Sequence, residues 1–107
     1  MSRIIAERRY VVLGRPDIDV RVRIYEPVQI PSKHHLGFET FQCLYSVEIN
    51  GDSSDGESLG NDSLQALLGA IKMLNAELVM HRNEDFDGQL TWGEMDTPGV
   101  LGLPEES

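Results

Sequence analysis

Residues Ile18-Asp19-Val20-Arg21-Val22-Arg23-Ile24-Tyr25 alternate apolar and polar without a break. Successive side chains of a strand point to opposite faces. This period of two therefore puts Ile18, Val20, Val22 and Ile24 on a dry face, and Asp19, Arg21, Arg23 and Tyr25 on a wet one. The stretch just before it, Ile4–Leu13, is rich in β-branched and aromatic residues and reads as a second strand. Gly14-Arg15-Pro16-Asp17 between them is a turn signal, so the two strands form an antiparallel hairpin.

Beyond the hairpin, Pro27–Thr40 is a long connection holding Pro27, Pro31, Gly37 and the pair His34-His35. Phe41–Asn50 is the next strand, with Phe41, Cys43, Tyr45, Val47 and Ile49 on one face and Gln42, Leu44, Ser46 and Glu48 on the other. Gly51–Gly56 (G-D-S-S-D-G) reads as a polar turn, and Glu57–Gly60 as a short returning strand. A long helix follows over about 62–82. Asn61 or Asp62 caps it, and Gln65 stands three residues after Asp62 as in a capping box. Leu64, Leu67, Leu68, Ile71, Leu74 and Leu78 form an apolar stripe at helical spacing, expected to face the sheet. A further short strand is expected over Gln89–Trp92. The segment from about residue 95 is expected to be irregular, anchored by Val100, Leu101 and Leu103. The whole chain, 1–107, reads as one α+β domain: an antiparallel sheet of about four to five strands with one long helix packed on one face.

Composition narrows the function. The net charge is −9 over 107 residues, which disfavours nucleic-acid phosphates as partners. The charge is uneven. Residues 1–33 carry seven basic and four acidic groups, a net +3, whereas residues 34–107 carry two basic and fourteen acidic groups, a net −12. No apolar run reaches the roughly 20 residues of a membrane span, and no secretory signal opens the chain. A lone cysteine, Cys43, allows no internal disulfide. The expected setting is the cytoplasm, with no membrane and no nucleic acid.

Three groups of residues carry chemistry worth weighing. Asn83-Glu84-Asp85-Phe86-Asp87-Gly88-Gln89-Leu90-Thr91-Trp92-Gly93-Glu94 approaches a twelve-residue calcium loop. Oxygen ligands fall at Asn83, Asp85 and Asp87, a glycine at Gly88 and a closing glutamate at Glu94. Against Ca²⁺, position one lacks its aspartate, Pro98-Gly99 leaves no room for an exiting helix, and the loop has no second copy. The competing reading is an acidic turn from the helix into a strand. His34, His35, Cys43 and His81 lack the spacing of a transition-metal site. Cys43 sits among core positions, and a core cysteine is usually inert.

Two surfaces stand out. Arg9, Arg21 and Arg23 share the wet face of the first hairpin with Tyr25, where cross-strand pairing with Glu7 and Asp19 is the expected arrangement. On the helix, Ala66, Gly69, Ala70, Met73, Ala76 and Met80 cluster opposite the leucine stripe. Small residues permit close approach and methionines adapt to irregular surfaces. Ala66, Gly69, Ala70, Met73 and Met80 are therefore expected at an interface, with another protein or with a second copy of the chain.

Three strings, Phe41-Gln42-Cys43-Leu44-Tyr45-Ser46-Val47, Asp62-Ser63-Leu64-Gln65-Ala66-Leu67, and Leu90-Thr91-Trp92 with a later Gly102-Leu103-Pro104, resemble a family of small bacterial proteins of unknown function. The resemblance covers most of the chain. It implies a strand-rich N-terminal half followed by one helix, and a structural role for Gly88, Trp92 and Gly102-Leu103-Pro104. It brings no activity. The leading expectation is a non-enzymatic protein-interaction module. The alternatives are a calcium-binding module using residues 83–94 and a small enzyme using the 27–40 loop with Cys43.

Overall fold

The alternating stretch lies at the centre of an antiparallel sheet. The computed structural model describes residues 3–31 and 39–91. Their elements are β1 (Ile4–Val12), β2 (Arg15–Tyr25), β3 (Val28–Ile30), β4 (Thr40–Ile49), β5 (Asp52–Gly60), α1 (Ser63–Glu84) and β6 (Leu90–Thr91). β1 and β2 pair antiparallel, as expected of a hairpin, with Tyr10 opposite Val20 and Arg9 opposite Arg21. β2 then pairs with β4, and β1 with β6. β5 pairs with β4 along its whole length, from Ile49 opposite Asp52 to Phe41 opposite Gly60.

β3 corrects the long-connection reading of Pro27–Thr40. It is β2 resumed. Both lie on the same edge of β4, and the register shifts by one residue between Ile24 opposite Tyr45 and Val28 opposite Gln42. Pro27 explains the interruption, since it has no N–H to give to a ladder. The sheet thus has six strand segments but is five strands wide, which agrees with the expected α+β class.

The turn after β4 is also shorter than expected. Asn50 (φ 50°) and Gly51 (φ 90°) both occupy left-handed backbone. This is the two-residue turn that Asn-Gly favours, because its twist matches that of the flanking strands. Asp52–Gly56, expected as a polar turn, therefore forms the first half of a nine-residue strand. In the first hairpin the turn narrows similarly to Leu13-Gly14, and Arg15–Asp17 joins β2.

α1 crosses one face of the sheet. Asp62 caps it by accepting from the Gln65 N–H at 2.7 Å, and the Gln65 side-chain oxygen accepts from Asn61 N–H at 2.6 Å. The core between helix and sheet holds Tyr10, Val12, Val20, Val22, Cys43, Tyr45 and Val47 from the strands, closed at one end by Phe86 and Leu90. The expected stripe holds only in part: Leu74 and Leu78 are buried as expected and Leu67 packs against the core. Ala66, Ala70, Leu74 and Leu78 are its buried residues, whereas Leu64 and Leu68 are exposed.

The reason lies on β5. Ser54, Gly56, Ser58 and Gly60 lie on its helix-facing side, opposite Val47, Tyr45, Cys43 and Phe41. A β-carbon at Gly60 would stand 2.6 Å from the Ala66 nitrogen, and one at Gly69 would stand 2.1 Å from Ser58 Oγ. Small strand residues meet small helix residues, so the two backbones approach closely there. Leu74 and Leu78 fill the deeper space over the centre of the sheet, where full burial of each side chain stabilises by about 1.5–3 kcal/mol.

Candidate functional site

With its small-residue stripe seated, α1 leaves two apolar flanks in solvent. Leu64 and Leu68 are 61% and 56% exposed on one side, and Met73 and Met80 are 46% and 45% exposed on the other. Leu64 and Leu68 line a shallow surface pocket with Gly69, and Ile71 borders a separate groove of about 280 Å³ that Ala6, Val22, Ile24 and Leu74 also line. The methionine side is that of β5, where Gly69 packs against Ser58. Of the five residues expected at an interface, Ala66 and Ala70 are fully buried under the chain's own sheet, and Gly69 is half-buried against Ser58. Met73 and Met80 are surface residues.

β5 is the sheet edge beneath that second flank, and among the described residues it pairs only with β4. A two-residue turn makes Ile49 and Asp52 a hydrogen-bonded pair, and such pairs alternate along an antiparallel ladder. The main-chain groups of Ser53, Asp55, Glu57 and Leu59 therefore point away from β4. All four residues are exposed. Their side chains lie on the open face of the sheet, where the Gln42 side-chain amide donates to Glu57 and Ser53 Oγ donates to Asp55 at 2.9 Å. The strong hairpin dipeptide Asn50-Gly51 is the signal that places this edge. Reading Gly51–Gly56 as a turn hides it.

Farther across the open face the charges are paired, as expected. Arg9 Nε donates to Asp19 at 2.9 Å, and Arg23 bridges Glu7 at 2.6 Å and Glu48 at 3.3 Å. Hydrogen bonding to Arg23 holds the Glu7 carboxyl below its ordinary value, and hydrogen bonding to Arg9 does the same for Asp19. This face is a self-neutralised ladder, with Ser46 buried beneath its long side chains.

The acidic string after the helix is a turn. Asn83 and Glu84 belong to the last turn of α1. Asp85 Oδ2 lies 2.6 Å from His81 Nδ1, and Glu77, 3.7 Å from the other ring nitrogen, accepts from Ser54 Oγ at 3.2 Å. Asp87 and Gly88 adopt left-handed backbone, and Gly88 N–H donates to Arg82 O at 2.6 Å. Gln89 O then accepts from Leu13 N–H at 3.0 Å and delivers Leu90 to β1. Asp85 thus faces back along the helix. Glu94 lies outside the described residues, as do Trp92, His34 and His35. Among the described residues, no group of three or more His, Cys, Asp or Glu is placed to hold a metal ion.

Cys43 is fully buried, and its thiol donates to Tyr25 O at 3.3 Å, where the β2–β3 shift leaves that carbonyl facing it. Burial pushes its pKa up. A nucleophilic cysteine needs an accessible thiolate, which this environment opposes.

A family model described as Domain of unknown function (DUF6968) matches residues 6–105, from β1 through both hairpins and the helix into the C-terminal segment. The chain belongs to DUF6968. No curated protein and no solved structure matches it. The family description assigns no chemistry, so what this DUF6968 chain does is argued from its own surface. No helix among the described residues is long and apolar enough to cross a membrane.

Proposed function

We propose that this DUF6968 chain is a non-enzymatic protein-interaction module, acting in the bacterial cytoplasm and binding another protein or a second copy of itself through the surface around α1. The observation that carries this reading is the exposure of large apolar side chains along both flanks of one helix, in Leu64, Leu68, Met73 and Met80. Scattered exposed apolar residues are ordinary, but grouped ones mark contact surfaces. Methionine flanks suit a binding surface because the side chain adapts to irregular partners. The lone cysteine and the acidic charge fit a reducing, soluble setting.

The test is site-specific photocrosslinking in cells, with the reactive group at Leu68 or Met73 and, as a control, at exposed Glu84. The expected result is a discrete protein adduct from a flank position, absent from the control. That adduct should be lost when a neighbouring residue of the same flank is substituted, Leu64→Lys for the Leu68 probe or Met80→Glu for the Met73 probe. Equal, diffuse labelling from all three positions would contradict the proposal. A self-partner would appear as an adduct of twice the chain mass.

A further inference from the structure

We infer that the outer edge of β5, unpaired among the described residues, binds an extended segment of a partner protein by strand addition, and that this segment alternates apolar and basic residues. The inference rests on the interaction-module reading and specifies its site and its partner.

Main-chain geometry supplies the first half. Ser53, Asp55, Glu57 and Leu59 turn their N–H and C=O groups outward along an exposed nine-residue edge. Such an edge is a template for another strand, whose backbone hydrogen bonds give affinity and whose alternating side chains give specificity.

Side chains supply the second half. An added strand would point every second residue to the open face, beside Asp55, Glu57 and Leu59. The intervening residues would point to the helix side, beside the Met73 and Met80 flank. Basic residues match the first row and apolar residues the second. A second copy of β5 does not fit this edge. Two-fold antiparallel pairing centred on the edge would set Asp55 and Glu57 against each other or against their own copies, and like charges placed opposite each other destabilise a pair. Thus the acids that discourage self-pairing select a basic strand.

The probe is a capped nine-residue peptide alternating valine and arginine, titrated into isotope-labelled full-length protein and followed by backbone amide shifts. The expected result is saturable shifts centred on Ser53, Asp55, Glu57 and Leu59 and extending to Met73 and Met80. The same peptide with glutamate for arginine should give none. Asp55→Lys with Glu57→Lys should weaken binding by about tenfold, from two charge pairs at the rim. Ser53→Pro removes an outward N–H without touching the β4 ladder, and should weaken binding while leaving the β4 amide shifts in place.

Failure to bind the basic peptide, or binding indifferent to Ser53→Pro, overturns the edge assignment. Saturable shifts confined to the Leu64–Leu68 flank also overturn it, while leaving the interaction-module reading standing. That reading falls separately, on the crosslinking result.

Discussion

At the scale of residues, the open face of the sheet is governed by two arginines and the carboxylates they hold. Arg23 reaches Glu7 and Glu48, and Arg9 reaches Asp19. Exposed pairs of this kind stabilise little individually, because water screens them and ordering long side chains costs entropy. Their pH signature is still readable. Glu7 and Asp19 have folded-state pKa values below their ordinary ones, so they add stability that is fully present above the unfolded values, near 4.5 and 3.8. It is lost as the pH falls through the lower, folded values. Carboxyl carbon NMR titration should show both groups midpointing below those ordinary values. Arg23→Gln should return Glu7, and not Asp19, towards the ordinary range. Ordinary midpoints in the unmutated protein would mean the pairs do not form in solution.

At the scale of elements, the pairing of β5 with α1 sets the architecture. Gly56 stands opposite Tyr45, and a β-carbon there would lie 2.3 Å from the Tyr45 ring. Because that ring is packed under the helix, Gly56→Ala should destabilise by about 1–3 kcal/mol through overpacking. Chemical denaturation measures this directly, and a neutral effect would show that the ring is free to move. The same pair of elements marks where sequence was legible and where it was not. Alternation along Ile18–Tyr25 and Phe41–Ile49 declares two strands and their core faces, and both faces are as expected. The helix, its Asp62 cap and the first hairpin are equally plain. β5 is not, because Asp52–Gly60 contains serine, glycine and acids in place of β-branched residues. Its strand state comes from the Asn50-Gly51 turn and from pairing with β4, not from its own propensity.

At the scale of the whole molecule, the central claim is the way the two layers meet. Counting apolar residues favours a helix seated on Leu64, Leu67, Leu68, Ile71, Leu74 and Leu78, of which Leu74 and Leu78 are fully buried and Leu64 and Leu68 are exposed. That count is misleading because the opposing strand is built from small residues, and the adjacent layer decides which helix stripe fits. Of the residues expected at an interface, Ala66 and Ala70 are spent on the chain's own core for the same reason, while Met73 and Met80 are on the surface. The described part of the acidic string, residues 83–91, was legible as a helix-to-strand turn that delivers Leu90 to the sheet. The edge of β5 was hidden by the misread turn. Everything proposed for function depends on this seating, since it leaves the leucine and methionine flanks in solvent and β5 at the rim.

The most direct measurement is the unfolding free energy of two leucine-to-alanine variants on the same helix. Leu74 is fully buried and Leu68 is 56% exposed. Leu74→Ala should cost about 2–5 kcal/mol, and Leu68→Ala should stay within about 0.5 kcal/mol of the parent. A Leu68→Ala loss as large as that of Leu74→Ala would place Leu68 in the core and contradict the account.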